Sequence, residues 1–271
     1  MTLASGCDPS EVSICTPESI TDLFSLPPIF GSVNRTVFLM FLASIVVMVV
    51  LWIAYRKTSP VPSKFQMLVD SLVSLVRDDI ATGVIGPDGV KYFPYLFSLF
   101  MFILVGDLFG ITPLVNFPFS SRMAIPGLMA LLTWFVFVGV GIKEQGLAYF
   151  GHLLWPPGVP TFLKPVIGLI EVISTIVVRP FSLAIRLFAN LFAGHLMLSL
   201  LLGSGAVFLL SIGDIGVVRG GLIGSAWFAF GMIIYALEII VAPLQAYIFT
   251  LLSAVYIESS KMGHDEPLEI L

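Results

Sequence analysis

The sequence predicts an all-α integral membrane protein with about five membrane-embedded helices and one amphipathic helix on the inner surface. The last two spans are expected to form a long, steeply tilted antiparallel hairpin. Three observations lead there. Of the 271 residues, 58% are hydrophobic and only 11% are charged, whereas a soluble domain carries about 25% charged residues. The apolar runs have helical length, and none shows the ten-residue alternation of a barrel strand. Finally, Val166–Leu202 and Leu222–Glu258 are apolar stretches of 37 residues each. As straight helices they would be about 55 Å long, far more than the ~30 Å hydrocarbon layer. Tilting accommodates that length better than a break at Pro180 or Pro243, because few polar residues accompany either proline.

Residues 1–33 are read as an extracytoplasmic segment and residues 34–271 as the membrane domain, with the hairpin at 166–258. The N-terminal stretch is acidic (Asp8, Glu11, Glu18, Asp22) and lacks the basic start of a signal peptide. Cys7 and Cys15 can form a disulfide if they face an oxidising compartment, or stay as two thiols. Val37–Tyr55 is an uncharged span followed by Arg56, Lys57 and Lys64. Acidic residues before it and basic residues after it put the N-terminus outside and, with five crossings, the C-terminus in the cytoplasm.

Next, "SKFQMLVDSLVSLVRDDIA" sets Phe65, Leu68, Val69, Leu72, Val76 and Ile80 on one helical face, opposite Gln66, Asp70, Ser74 and Arg77. It is too charged to cross a bilayer and is expected to lie on the inner surface. The "GPDG" of 86–89 marks a turn. A second span runs from Pro94 to Val115 with Asp107 as its single charge, and a third from Met123 to Ile142, closed by Lys143 and Glu144. The Pro/Gly-rich stretch 151–165 is expected to connect this span to the long stretches. Residues 203–221, with six glycines, Asp214 and Arg219, are expected to form the outer turn between them.

The polar residues of the long stretches carry the chemistry. Glu171, Arg179, Arg186 and His195 lie in the first, Glu238 and Gln245 in the second. An ionisable residue inside a membrane is a functional candidate, although pairing that only holds helices in register is the competing explanation. Glu238 and Gln245 are seven apart, and Arg186 and Asn190 four apart, so each pair shares a helical face. Folding the helices antiparallel about residue 216 brings Arg186 level with Gln245 and His195 level with Glu238 in one register. Arg186 and His195, nine residues apart, face roughly opposite ways. Histidine and glutamate suit proton carriage. Arginine keeps its charge and suits a fixed electrostatic block. No Gly-rich phosphate loop or Cys/His cluster suggests a cofactor, a metal or nucleic acid.

"RPFSLAIRLFANLFAGH" (179–195), followed about fifty residues later by "EIIVAPLQAYIFTLLSAVY" (238–256), resembles subunit a of the F-type ATP synthases. The likeness extends to the first span, the amphipathic helix and "LFGITP" at 108–113. It implies the membrane stator of a rotary proton motor. Its partners would be a ring of c subunits, peripheral-stalk b-type subunits, the rest of the complex and membrane lipid. The chain alone would catalyse nothing and need no cofactor.

Arg186 matches the family's essential arginine, which attracts the ring carboxylate and separates two aqueous half-channels. Asn190 and Gln245 match polar positions beside it. His195 and Glu238 match an exchangeable imidazole–carboxylate pair on the outer access path. Ser182 and Glu171 lie where the inner half-channel has polar groups. Two departures are visible. Glu171 is nine residues before Pro180, one more than the usual spacing, and Asp107 stands where asparagine is common. Asp107 is either an outer-channel group or a satisfied carboxylate at a span's end.

The extended acidic N-terminus and single-chain organisation suggest a bacterial plasma membrane; the mitochondrial inner membrane is the alternative, because "AGH" with a downstream glutamate also resembles mitochondrial members. The competing functions are a stand-alone transporter or channel whose arginine binds an anion, and a purely structural membrane subunit.

Overall fold

The structure, a computed structural model, describes residues 35–56, 63–112, 123–146, 148–155, 162–210 and 217–261. Among these the ordered elements are all helical: α1 Arg35–Tyr55, α2 Lys64–Ser74, a π-helical segment Leu75–Thr82, α3 Gly83–Ile85, a 3₁₀ turn Pro87–Lys91, α4 Phe93–Ile111, α5 Ala124–Gln145, α6 Ala148–Leu154, α7 Lys164–Ile173, a second π-helical segment Ser174–Val178, α8 Arg179–Leu210 and α9 Val217–Lys261. Among the described residues five helical runs are long and apolar enough to cross a membrane: Val37–Tyr55, Phe93–Ile111, Ala124–Gln145, Lys164–Leu210 and Gly220–Lys261. The chain is thus an all-α integral membrane protein. Cys7, Cys15, Asp214 and the segment 1–33 lie outside the described residues.

The residues group into two compact units. The first comprises 1–45, 104–122 and 188–244, and the second 46–103, 123–187 and 245–271.

In the first unit, α8 and α9 pack as an antiparallel pair whose register is set by glycines. A Cβ on Gly205 would lie 3.0 Å from the Phe228 nitrogen, one on Gly224 3.0 Å from the Leu209 nitrogen, and one on Gly231 2.7 Å from Leu202 Cδ2. Small residues let two backbones approach closely where lipid supplies no hydrophobic drive. Each of these pairs is centred between residues 216 and 217, which is the register expected from the polar residues.

The glycines therefore do different work from that expected of them. Residues 203–210 and 217–221 are helical, so 203–221 is not one long turn. Gly205 and Gly224 are contact surfaces within the hairpin rather than breaks in it.

In the second unit, Ser63 caps α2 by accepting from the Gln66 N–H at 3.2 Å. The apolar face of α2 and the π-helical segment after it divides: Val69 of α2 and Val76 and Ile80 of the segment are buried, while Phe65 and Leu68 at the start of α2 are exposed. Gly86 (φ 82°) supplies the left-handed residue that leads into the 3₁₀ turn. There Asp88 accepts from Lys91 at 2.8 Å and lies 3.9 Å from Lys261 at the end of α9. The hydrogen bond from Lys91 holds the Asp88 carboxyl below its ordinary value. This tie is therefore complete above the usual carboxylate range and is lost as pH falls through the lowered value.

Elsewhere the core of this unit centres on Leu96, Ile103, Phe137, Phe249 and Ile257, all fully buried. Polar cross-links accompany it. Tyr95 and Thr133 share a 2.8 Å hydrogen bond, and Gln145 Nε2 donates to Ser260 O at 3.1 Å.

Gly146 (φ 64°) ends α5, and α6 follows within the stretch leading to α7. The expectation of a plain connection at 151–165 is thus corrected, since 148–154 are helical. The short helix survives because it packs on its neighbours. The Tyr149 ring lies against Gly141, and the Leu154 carbonyl lies against Gly168.

Pro180 and Pro243 break neither long helix. Before Pro180 the chain widens into the π segment, where Arg179 N–H donates to Ser174 O, five residues back. A π turn holds one residue more than an α turn.

Candidate functional site

The first unit contains a cleft of about 200 Å³ between α4, α8 and α9. Asn190, Ala193, Gly194 and Met197 line it from α8, Ile234, Glu238 and Ala242 from α9, and Ile111 from the end of α4. The wall is mainly apolar, with one amide and one half-buried carboxylate. This is the mixture expected of a site that binds or passes a small polar species.

The antiparallel register brings Gly194 directly against the Glu238 carboxyl. His195, one residue on, is half-buried and turned by about 100° along the helix. It does not line the cleft. His195 and Glu238 thus share a depth, as the sequence predicts, while the residue facing the carboxyl is a glycine. The signal for Gly194 lay in the sequence as the small residue of "AGH", level with Glu238 once the hairpin is folded.

Asp107 belongs to the same unit, one helical turn before Ile111. It is fully buried, and neither carboxyl oxygen has a hydrogen-bond partner among the described residues.

The second unit holds Arg186, Gln245, Ser182 and Glu171. Arg186 is exposed, and none of the described residues pairs with it. Leu183 and Leu187, which flank it about 60° and 100° round α8, are buried, so Arg186 stands at the edge of the buried side of the helix. Spacings of four, three and four carry the same helical face from Arg186 through Asn190 and Ala193 to Met197. The last three of these line the cleft.

Gln245 is buried, and its Nε2 has no partner among the described residues. Ser182 is exposed and Glu171 half-buried. Arg179, by contrast, is engaged: it donates to Ser259 Oγ at 3.0 Å and lies over the Tyr256 ring at 5.4 Å. That is the structural role of a cation that ties α8 to α9. Sequence spacing does not reveal these partners, nor Trp134, which donates to Thr175 O at 3.1 Å.

Comparison with known proteins follows the same residues. The family profile described as ATP synthase A chain matches residues 37–258. The ATP synthase subunit a of Frankia alni is 40% identical over 235 residues, covering 86% of this chain and 78% of that one. The subunit a of Erythrobacter litoralis is 37% identical over 257 residues, 89% of this chain and 95% of the relative. That of Gluconacetobacter diazotrophicus is 34% identical over 243 residues, 88% and 94% of the two chains.

Proposed function

The chain belongs to the ATP synthase A chain family, and on that premise we propose that it is the membrane stator subunit of a rotary F-type ATP synthase. It provides two proton half-channels beside a ring of c subunits and couples proton flow to rotation and ATP synthesis. The observation that carries this reading is the α8 face on which Arg186, exposed and unpaired among the described residues, is followed one turn later by Asn190, which lines the cleft that Glu238 enters from α9.

Arg186 attracts the ionised carboxylate of each passing ring subunit and blocks direct passage between the half-channels. Asn190 and Gln245 flank it. Glu238, His195 and Asp107 serve the outer path, Glu171 and Ser182 the inner one. The helical runs Lys164–Leu210 and Gly220–Lys261, 47 and 42 residues long, exceed about 60 Å at 1.5 Å per residue. Tilted, they can follow the curve of a ring. The chain resides in a bacterial plasma membrane with its N-terminus outside, and b-type stalk subunits hold it.

The test begins with purification from native membranes. The chain is expected to arrive with a complete ATPase, and inverted vesicles carrying it to acidify on ATP addition. A chain that purifies alone and moves an anion overturns the proposal.

Two substitutions probe the outer path. Gly194→Ala places a methyl where the Glu238 carboxyl now lies, so that flexible side chain must turn away. Pumping is expected to fall with assembly intact. The loss should be far from additive with that of Glu238→Gln, because both remove one carboxyl from one place. Additive losses in the double variant contradict this. Asp107→Asn keeps the shape of a fully buried side chain and removes its proton-carrying oxygen. Conduction is expected to slow by a smaller factor than for Arg186→Ala, and unchanged conduction removes Asp107 from the path.

A further inference from the structure

Pro180 stands inside the helical run Lys164–Leu210, six residues before Arg186. Having no N–H, it leaves one carbonyl of the preceding turn without a main-chain donor. The register identifies that carbonyl. Arg179 N–H donates to Ser174 O, five residues back, so a donor at 180 would serve Thr175 O. Trp134, from α5, fills the vacancy: its indole Nε1–H donates to Thr175 O at 3.1 Å. Thr175 is 1% exposed, which leaves little room for solvent to take that role, and a buried carbonyl left unpaired is costly.

The consequence reaches Arg186 through helix geometry. Were the π turn to relax to an α turn, everything beyond it would rotate by about 100° relative to α7. On α8 the exposed Arg186 lies next to the buried Leu187, with Leu183 one turn earlier. A rotation of that size exchanges an apolar side chain for the cation.

We infer that Trp134 is a positioning residue for Arg186. Its indole N–H replaces the main-chain donor that Pro180 lacks, holds the π turn at Ser174–Val178, and so sets the direction in which Arg186 points. The role rests on the reading of Arg186 as the electrostatic gate.

The experiment uses the whole complex in inverted vesicles. Trp134→Phe keeps a ring and removes the N–H. Pumping per ATP hydrolysed is expected to fall about five- to tenfold, the lower end of the effect that follows loss of a buried carbonyl's partner. Pro180→Ala restores a main-chain N–H, so adding Trp134→Phe to that background is expected to cost little more. Equal losses in both backgrounds mean that Trp134 only fills space, and overturn the inference.

A second measurement needs no activity. The ultraviolet resonance Raman difference between wild type and Trp134→Phe is expected to show a hydrogen-bonded indole N–H, and a free one overturns the inference. Arg186→Ala serves as the reference. Undiminished pumping there defeats the gate reading and the positioning role with it, whereas equal Trp134→Phe losses beside a dead Arg186→Ala defeat the positioning role alone.

Discussion

Replacing Arg186 with alanine is expected to abolish ATP-driven acidification of inverted vesicles while the complex stays assembled. The guanidinium is exposed and unpaired among the described residues. Within a membrane helix such a cation costs roughly 2.5–3.5 kcal/mol on insertion scales. Its loss should therefore not weaken the fold of this chain. What it removes is the attraction to a partner carboxylate. At an effective dielectric of about 20, opposite charges 4 Å apart attract by about 4 kcal/mol, close to a thousandfold in occupancy.

The barrier between the half-channels goes with it. Passive proton leak through the membrane sector is expected to rise, or rotation to stall, and either result ends net pumping. Arg186→Lys keeps the charge but not the planar fork of donors, and is expected to restore only part of the activity. Undiminished pumping by Arg186→Ala, at matched assembly, would sink the stator mechanism and leave the arginine as a packing residue.

Replacing Gly168 with alanine is expected to cost much of the stability of the α6–α7 pair. Gly168 is buried on α7, and a Cβ there would overlap the carbonyl oxygen of Leu154 and lie 2.7 Å from its carbon. The obstacle is main chain and cannot rotate away as the Glu238 carboxyl can. Either α6 moves off α7 or the helices bend. Overpacking of this kind costs about 1–3 kcal/mol and occasionally more, and a backbone collision belongs at the upper end. The thermal inactivation midpoint of the solubilised complex and the yield of assembled complex report it, and Gly168→Val should be worse than alanine. A Gly168→Ala complex with a wild-type midpoint and yield would show that α6 and α7 are not held this closely.

Much of this chain is decided locally and is therefore legible in the sequence. Span length follows from the count of apolar residues, because lipid offers no hydrogen bonds and forces the backbone into helices. The sparse polar residues also point to the hairpin register: setting Arg186 level with Gln245 and His195 level with Glu238 requires a fold-back point near residue 216, and the glycine contacts reflect about the same point.

Other features depend on what stands opposite, which periodicity does not encode. The glycines of 203–210 read as a turn until Phe228 and Gly224 are found against Gly205. The stretch 151–165 reads as a connection until Tyr149 packs on Gly141 and Leu154 on Gly168. The apolar face running from α2 through the π-helical segment reads as uniform, yet tertiary neighbours bury Val69, Val76 and Ile80 and leave Phe65 and Leu68 outside.

At the site the division is the same. Sequence alone determined which side chains carry charge, their depth and the helices that bear them. Tertiary structure decided that Gly194 faces Glu238, that Arg179 is tied to Ser259 and Tyr256 while Arg186 is not, and that Trp134 supplies the donor missing at Pro180. The reason is physical: composition and period fix the faces and lengths of helices, but a contact a few ångströms long is settled only when two distant surfaces meet.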